Sequence, residues 1–111
     1  MEESRAMDNE DTLMGLAQRT VTIVHRQGLH ARPAALFVQL AKRFSSQVTV
    51  RKGRKIVDGK SIMGLLTLAA KHGSQISITA DGSDAAEAVE RLVVLVTEPL
   101  PDVPASSASS R

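Results

Sequence analysis

The residues best suited to group transfer fall in one short stretch, Gly28-Leu29-His30-Ala31-Arg32-Pro33-Ala34-Ala35. An imidazole is largely unprotonated and nucleophilic near neutral pH without help from its surroundings. Arg32, two positions on, carries a permanent positive charge. The flanks place this pair where a strand gives way to a helix. Thr20-Val21-Thr22-Ile23-Val24 alternates polar and apolar residues, the period of a half-buried strand. Ala34, Ala35, Leu36, Phe37, Leu40, Ala41 and Phe44 recur at helical spacing. A helix start presents N–H groups and the positive end of the dipole, so the amides of Ala31 and Arg32 can cradle an anion. Pro33 suits the first turn, where a missing N–H costs nothing, and Gly28 frees the backbone just before the histidine. The competing reading of His30 is a helix cap or a solvated side chain. Arg32 and the Gly/Pro punctuation favour a phosphate or carboxylate site with a nucleophile inside it.

The run Gly28-Leu29-His30-Ala31-Arg32-Pro33-Ala34 resembles the active-site signature of the HPr family, the histidine-containing phosphocarriers of the bacterial phosphoenolpyruvate-dependent phosphotransferase system. Asp58-Gly59-Lys60-Ser61-Ile62-Met63-Gly64 resembles the regulatory-serine segment of the same family, and the likeness runs from about Arg19 to Glu98. The resemblance implies that His30 accepts a phosphoryl group on Nδ1 from the phosphohistidine of enzyme I. It would then pass the group to enzyme IIA components in sugar uptake. Arg32 and the N–H groups of Ala31 and Arg32 would offset charge on the transferred oxygens, Pro33 would hold the turn, and the carrier itself would need no metal or other cofactor.

Ser61 has two roles open to it. Locally it reads as the N-cap of a short helix. The resemblance adds phosphorylation by an HPr kinase/phosphorylase, which would seat a phosphate at a helix N-terminus without unfolding it. Ile62, Met63 and Leu66 read as core on pattern alone, whereas the family implies an apolar docking patch near the histidine. Ile62 and Met63 are expected partly exposed, with Leu65 and Leu68 buried. Three rival functions stand beside the sugar-uptake carrier. One is a nitrogen-type regulatory phosphotransferase carrier. Another is a regulatory module that engages a transcriptional regulator through phospho-Ser61; retention of His30 and Arg32 disfavours a pure regulator of that kind. The last is a basic RNA-binding domain, for which only charge speaks.

Composition narrows these choices. Aromatics are 2% of 111 residues, so aliphatic side chains must build the core and base-stacking platforms are nearly absent. That weighs against nucleic acid as a partner, and the run Arg51-Lys52-Gly53-Arg54-Lys55 reads as a solvated hairpin. With no cysteine there are no disulfides or thiolate metal sites, and three scattered histidines make a poor metal case. No apolar run is long enough to span a membrane and no signal-peptide pattern opens the chain, so a cytoplasmic location is expected. The chain is also expected to be a monomer. Residues 1–18 carry five acids against Arg5, whereas the rest of the chain carries 13 basic and 7 acidic side chains. The basic body suits acidic partners or phosphorylated substrates.

Three segments follow: a flexible acidic extension over 1–18, a phosphocarrier-like domain over 19–98, and a disordered Pro/Ser/Ala tail over 99–111. Met14 stands just before the domain as an alternative start, so the first 13 residues could reflect an upstream start assignment. Strands are expected over 19–25, 47–51, 55–58 and 75–80, with Lys55–Asp58 at an edge. Helices are expected over 31–43, from Ser61 through Leu66 or somewhat beyond, and after Ser83 or Asp84. Gly73 is expected as a C′ glycine after Lys71 and His72, Asp84 with Glu87 as a capping box, and Glu87–Arg91 as an exposed pair. His25 and His72 show no ligand-like partner. Ala85, Val89, Leu92, Val93 and Val96 share a helix face. Val21, Ile23, Val48, Val50, Ile76 and Ile78 line one face of the sheet, with Thr22, Thr49, Ser77 and Thr79 on the other. A sheet with one apolar face is antiparallel and covered on one side. The order β-α-β-β-α-β-α then makes an α+β open-faced sandwich, four strands beneath three helices. The resemblance implies the same fold with strand order 1-4-2-3.

Overall fold

The computed structural model describes residues 15–98. The tail, the acidic part of the expected extension and Met14 lie outside them. The elements are β1 (Leu16–Thr22), α1 (Ala31–Ala41), β2 (Gln47–Lys52), β3 (Lys55–Asp58), α2 (Ile62–Thr67), β4 (Gln75–Asp81) and α3 (Ala85–Thr97). The four strands form one antiparallel sheet in the order β1-β4-β2-β3.

Register explains the two faces. Ala17 lies opposite Ala80 and Val48 opposite Ala80, while Val50 pairs with Ile78 and Val21 with Ile76. Ala17, Val48, Val50, Ile76, Ile78 and Ala80 are buried beneath the helices. Phe37 and Ala34 of α1, Leu65 of α2, and Ala88, Leu92 and Val96 of α3 complete that core. Each large aliphatic side chain so buried contributes roughly 1.5–3 kcal/mol. The other face carries Thr20, Thr49, Ser77 and Thr79. Ser77 is nonetheless buried there, sharing a hydrogen bond of 2.9 Å with the Thr20 hydroxyl.

β1 starts three residues earlier than the alternation suggested and ends three residues sooner. Leu16–Gln18, expected in the extension, pair with β4 from Leu16↔Asp81 onward. Arg19 hides this, because it occupies an apolar-face position opposite Ile78 but stays exposed at the sheet edge. The β2–β3 hairpin has the two-residue loop Gly53-Arg54, with Gly53 at φ +62°, which fits a type II′ turn.

Two expected caps are different. Asp84 is the N-cap of α3, but its carboxylate makes no cap bond. It instead accepts hydrogen bonds from Ser46 Oγ and N and from Ser45 N and Oγ, tying the α1–β2 connection to the start of α3. The capping box with Glu87 is therefore absent, because two longer-range serines supply more donors than the local amide. Ser46 foremost, then Ser45, holds the Asp84 carboxyl below its ordinary value of 3.8. A depressed folded-state pKa adds stability above the unfolded value, and that stability is lost as pH falls through the folded one. Urea midpoints measured from pH 6 downward should fall steeply below about pH 4. The Asp84→Asn variant should be less stable at pH 6 and flatter with pH. Parallel wild-type and variant curves would refute the linkage. The pair Glu87–Arg91 forms as expected, at 3.6 Å and exposed.

The second difference is at the end of α2. Gly73 has φ +88°, but its N–H bonds Ile23 O as the chain enters β4. The left-handed residue that follows the helix is Ala69, at φ +52° and exposed. A Cβ in that region costs about 1–2 kcal/mol, more than the extra chain entropy of glycine. Ala69→Gly should therefore stabilise the fold by about 0.5–1 kcal/mol in chemical denaturation. A destabilised variant would contradict the strain.

Candidate functional site

The turn that carries His30 is held from both sides. At the end of β1, Ile23 N donates to Ser74 O at 2.8 Å, and the chain then leaves the sheet. His25 O accepts from Gly28 N at 2.9 Å, Leu29 N donates to Ala70 O at 2.8 Å, and His30 N donates to Gly28 O at 3.0 Å. Gly28 has φ +75°, and a Cβ there would lie 2.5 Å from Ala70 O and 2.9 Å from Lys71 Cα. Leu29 is buried and plugs the turn into the core.

His30 is the N-cap residue of α1, in extended backbone, and its O accepts from Ala34 N at 3.0 Å. Its side chain makes no cap hydrogen bond. The imidazole is half-buried and Arg32 and Ala31 are exposed, while Pro33 is buried in the first turn. The structure therefore brings His30, Arg32 and the first amides of α1 to one helix start.

Ser61 is the N-cap of α2, its Oγ accepting from Gly64 N at 3.0 Å. Ile62 is 41% exposed and Met63 70%, while Leu65 and Leu68 are buried, the division expected from the resemblance. Leu66 is half-buried and packs against the core, so it offers less free surface than its two neighbours. α1 and α2 pack against each other, and two contacts set their sense. Leu29 reaches Ala70 beyond the end of α2, and Lys60 Nζ donates to Phe44 O, 2.9 Å away, beyond the end of α1. The helices are thus antiparallel, and the helix starts at His30 and Ser61 face opposite ends. Six residues of α2, roughly 9 Å of helix, lie between Ser61 and the His30 end.

His25 is the residue that sequence reasoning passed over. It is buried, with Nε2 3.1 Å from Leu95 O of α3. One signal was available: Pro99, four residues after Leu95, can offer that carbonyl no N–H. His72 is exposed, as are Arg51, Arg54 and Lys55 around the hairpin.

A one-sided antiparallel sheet under three helices, with a histidine at a helix start whose side chain makes no cap bond, defines an α+β open-faced sandwich. The family described as the PTS HPr component phosphorylation site matches residues 17–98, and the chain belongs to this HPr phosphocarrier family. The HPr-like protein Crh of Bacillus subtilis strain 168 is 47% identical over 83 residues, 75% of this chain and 98% of that protein. A crystal structure of Crh, with a swapped domain in a dimer, aligns at TM-score 0.62 and 48% identity, covering 72% of this chain and 92% of Crh. The phosphocarrier protein HPr of Bacillus anthracis strain Ames aligns at TM-score 0.71 and 49% identity, covering 73% and 96%. The phosphocarrier protein HPr of Haemophilus influenzae is 49% identical over 78 residues, 70% of this chain and 92% of that protein. No helix among the described residues is long and apolar enough to cross a membrane.

Proposed function

We propose that this chain is a phosphoryl carrier in sugar uptake, a stoichiometric relay rather than an enzyme with its own turnover. The observation that carries the reading is the uncapped imidazole of His30 at the start of α1. His30 takes the phosphoryl group from phospho-enzyme I as a phosphoramidate and yields it to an enzyme IIA component. Arg32 and the amides of Ala31 and Arg32 stabilise the charge on the oxygens as it passes. The carrier works as a cytoplasmic bacterial monomer and needs no cofactor. Ile62 and Met63, with the exposed edge of Leu66, supply the apolar contacts for its partners. Incubation with phosphoenolpyruvate, magnesium and enzyme I should deposit one acid-labile phosphate per chain. A chain that stays unlabelled, while an established HPr in the same mixture is labelled, sinks the reading.

The likeness to Crh, a catabolite repression HPr, favours a regulatory role as a second reading. In it, HPr kinase/phosphorylase modifies Ser61 and the product engages a transcriptional regulator. A phosphate on Ser61 lies roughly one short helix away from the His30 end, so it acts on docking rather than on the imidazole. Ser61→Asp isolates that charge, since aspartate caps a helix as well as serine does. Transfer from enzyme I should slow about tenfold while stability stays close to wild type. Equal transfer rates would argue against regulation by charge.

A further inference from the structure

We propose that His25 is a positioning residue for His30, tying the reactive turn to the last turn of α3; the role rests on the phosphocarrier reading above. His25 is 7% exposed, and its Nε2 lies 3.1 Å from the Leu95 carbonyl oxygen. A carbonyl can only accept, so Nε2 carries the proton and donates. Leu95 sits in the last turn of α3, where carbonyls run out of intrahelical donors. Its i+4 residue is Pro99, which has no N–H to give. The buried imidazole thus supplies a donor that the helix's own covalent structure withholds.

The same residue begins the reactive turn. His25 O accepts from Gly28 N at 2.9 Å, and Leu29 N, on the next residue, is fixed on Ala70 O. Between these anchors Arg26 and Gln27 are exposed. His30 follows directly, five residues from the side chain held by α3. Freed from Leu95, the His25 side chain would leave the turn held by backbone bonds alone, at Ile23 before it and at Leu29 after it, and the imidazole of His30 would lose part of its fixed bearing on the start of α1. A displacement approaching 1 Å at a reacting group can cost about a hundredfold in rate, so a partial release should cost about tenfold.

His25→Gln keeps a side-chain N–H donor, whereas His25→Met fills similar volume without one. With both variants assayed well below their unfolding temperatures, enzyme-I-dependent phosphorylation should slow about tenfold for His25→Met and stay within about twofold of wild type for His25→Gln. Amide exchange at Gly28 should quicken in His25→Met alone. A folded His25→Met phosphorylated at the wild-type rate overturns the positioning role, leaving a contact that merely holds α3. His25→Leu replaces His25→Met if the latter is too unstable to assay. A measurement on wild type needs no variant: its ring 15N spectrum should show His25 protonated on Nε2 and slow to exchange. A rapidly exchanging or Nδ1-protonated ring also overturns the role. If wild type itself takes no phosphate, the carrier reading fails and the positioning role with it, while the ring spectrum still reports the contact on its own.

Discussion

Replacing His30 by glutamine is expected to abolish phosphoryl transfer and leave the fold intact. Glutamine retains an amide of similar reach but has no lone pair nucleophilic enough to accept the group. The loss should be on the order of 10⁴-fold or more, the scale seen when a covalent nucleophile is removed. Stability should change by less than about 0.5 kcal/mol, because the half-buried ring makes no cap hydrogen bond that the substitution would break. Acid-labile labelling and a urea melt on the same preparation check both halves. Label that survives in His30→Gln would move the acceptor to another residue, and the central claim would fall.

The second large effect is expected at Gly28. Gly28→Ala meets two obstacles at once: φ is +75°, and the new Cβ would lie 2.5 Å from Ala70 O and 2.9 Å from Lys71 Cα. The left-handed backbone alone costs about 1–2 kcal/mol, and overpacking adds about 1–3 kcal/mol because backbone atoms cannot swing aside as a side chain can. The total should be about 2–5 kcal/mol of lost stability. Any relief must come from moving the turn off Ala70, so transfer by the folded fraction should fall as well. Gly53→Ala is the control: its φ is +62°, but beyond its chain neighbours no heavy atom of the described residues lies within 4 Å of the new Cβ. It should lose only the backbone contribution, about 1–2 kcal/mol, and transfer at the wild-type rate. Equal destabilisation at both positions would show that the close approach to Ala70 contributes nothing.

Much of this is legible in the sequence because it is local. Alternation in Gln47-Val48-Thr49-Val50-Arg51 and in Gln75-Ile76-Ser77-Ile78-Thr79-Ala80 located β2 and β4, and Gly53 located the hairpin between β2 and β3. Ser61 was readable as a cap because its partner, Gly64 N, is three residues away. Arg19 broke the alternation of β1, since an edge strand lets an arginine leave the covered face that a central strand would have to fill with an apolar residue. Asp84 misled for the opposite reason. Glu87 three residues on made a local cap plausible, yet the donors it found belong to Ser45 and Ser46, a separation no periodicity reveals. Ala69 took the left-handed turn expected of Gly73 because the chain leaves α2 early to reach Leu29.

By itself, the order of residues determined the candidate site and its setting: an imidazole two residues from a guanidinium, a proline in the first helical turn, and a one-faced sheet to carry them. Those are properties of side-chain type and of spacing along one element, where neighbours in sequence are neighbours in space. The tertiary structure alone decided which groups hold the reactive turn. Ala70 O takes Leu29 N, the Ala70–Lys71 backbone closes on Gly28, and Leu95 O receives His25. It also set the Ser61 and His30 helix starts at opposite ends of an antiparallel pair. These contacts join residues up to 70 positions apart. They arise because helix ends and loop backbone must find hydrogen-bond partners wherever the packed core delivers them.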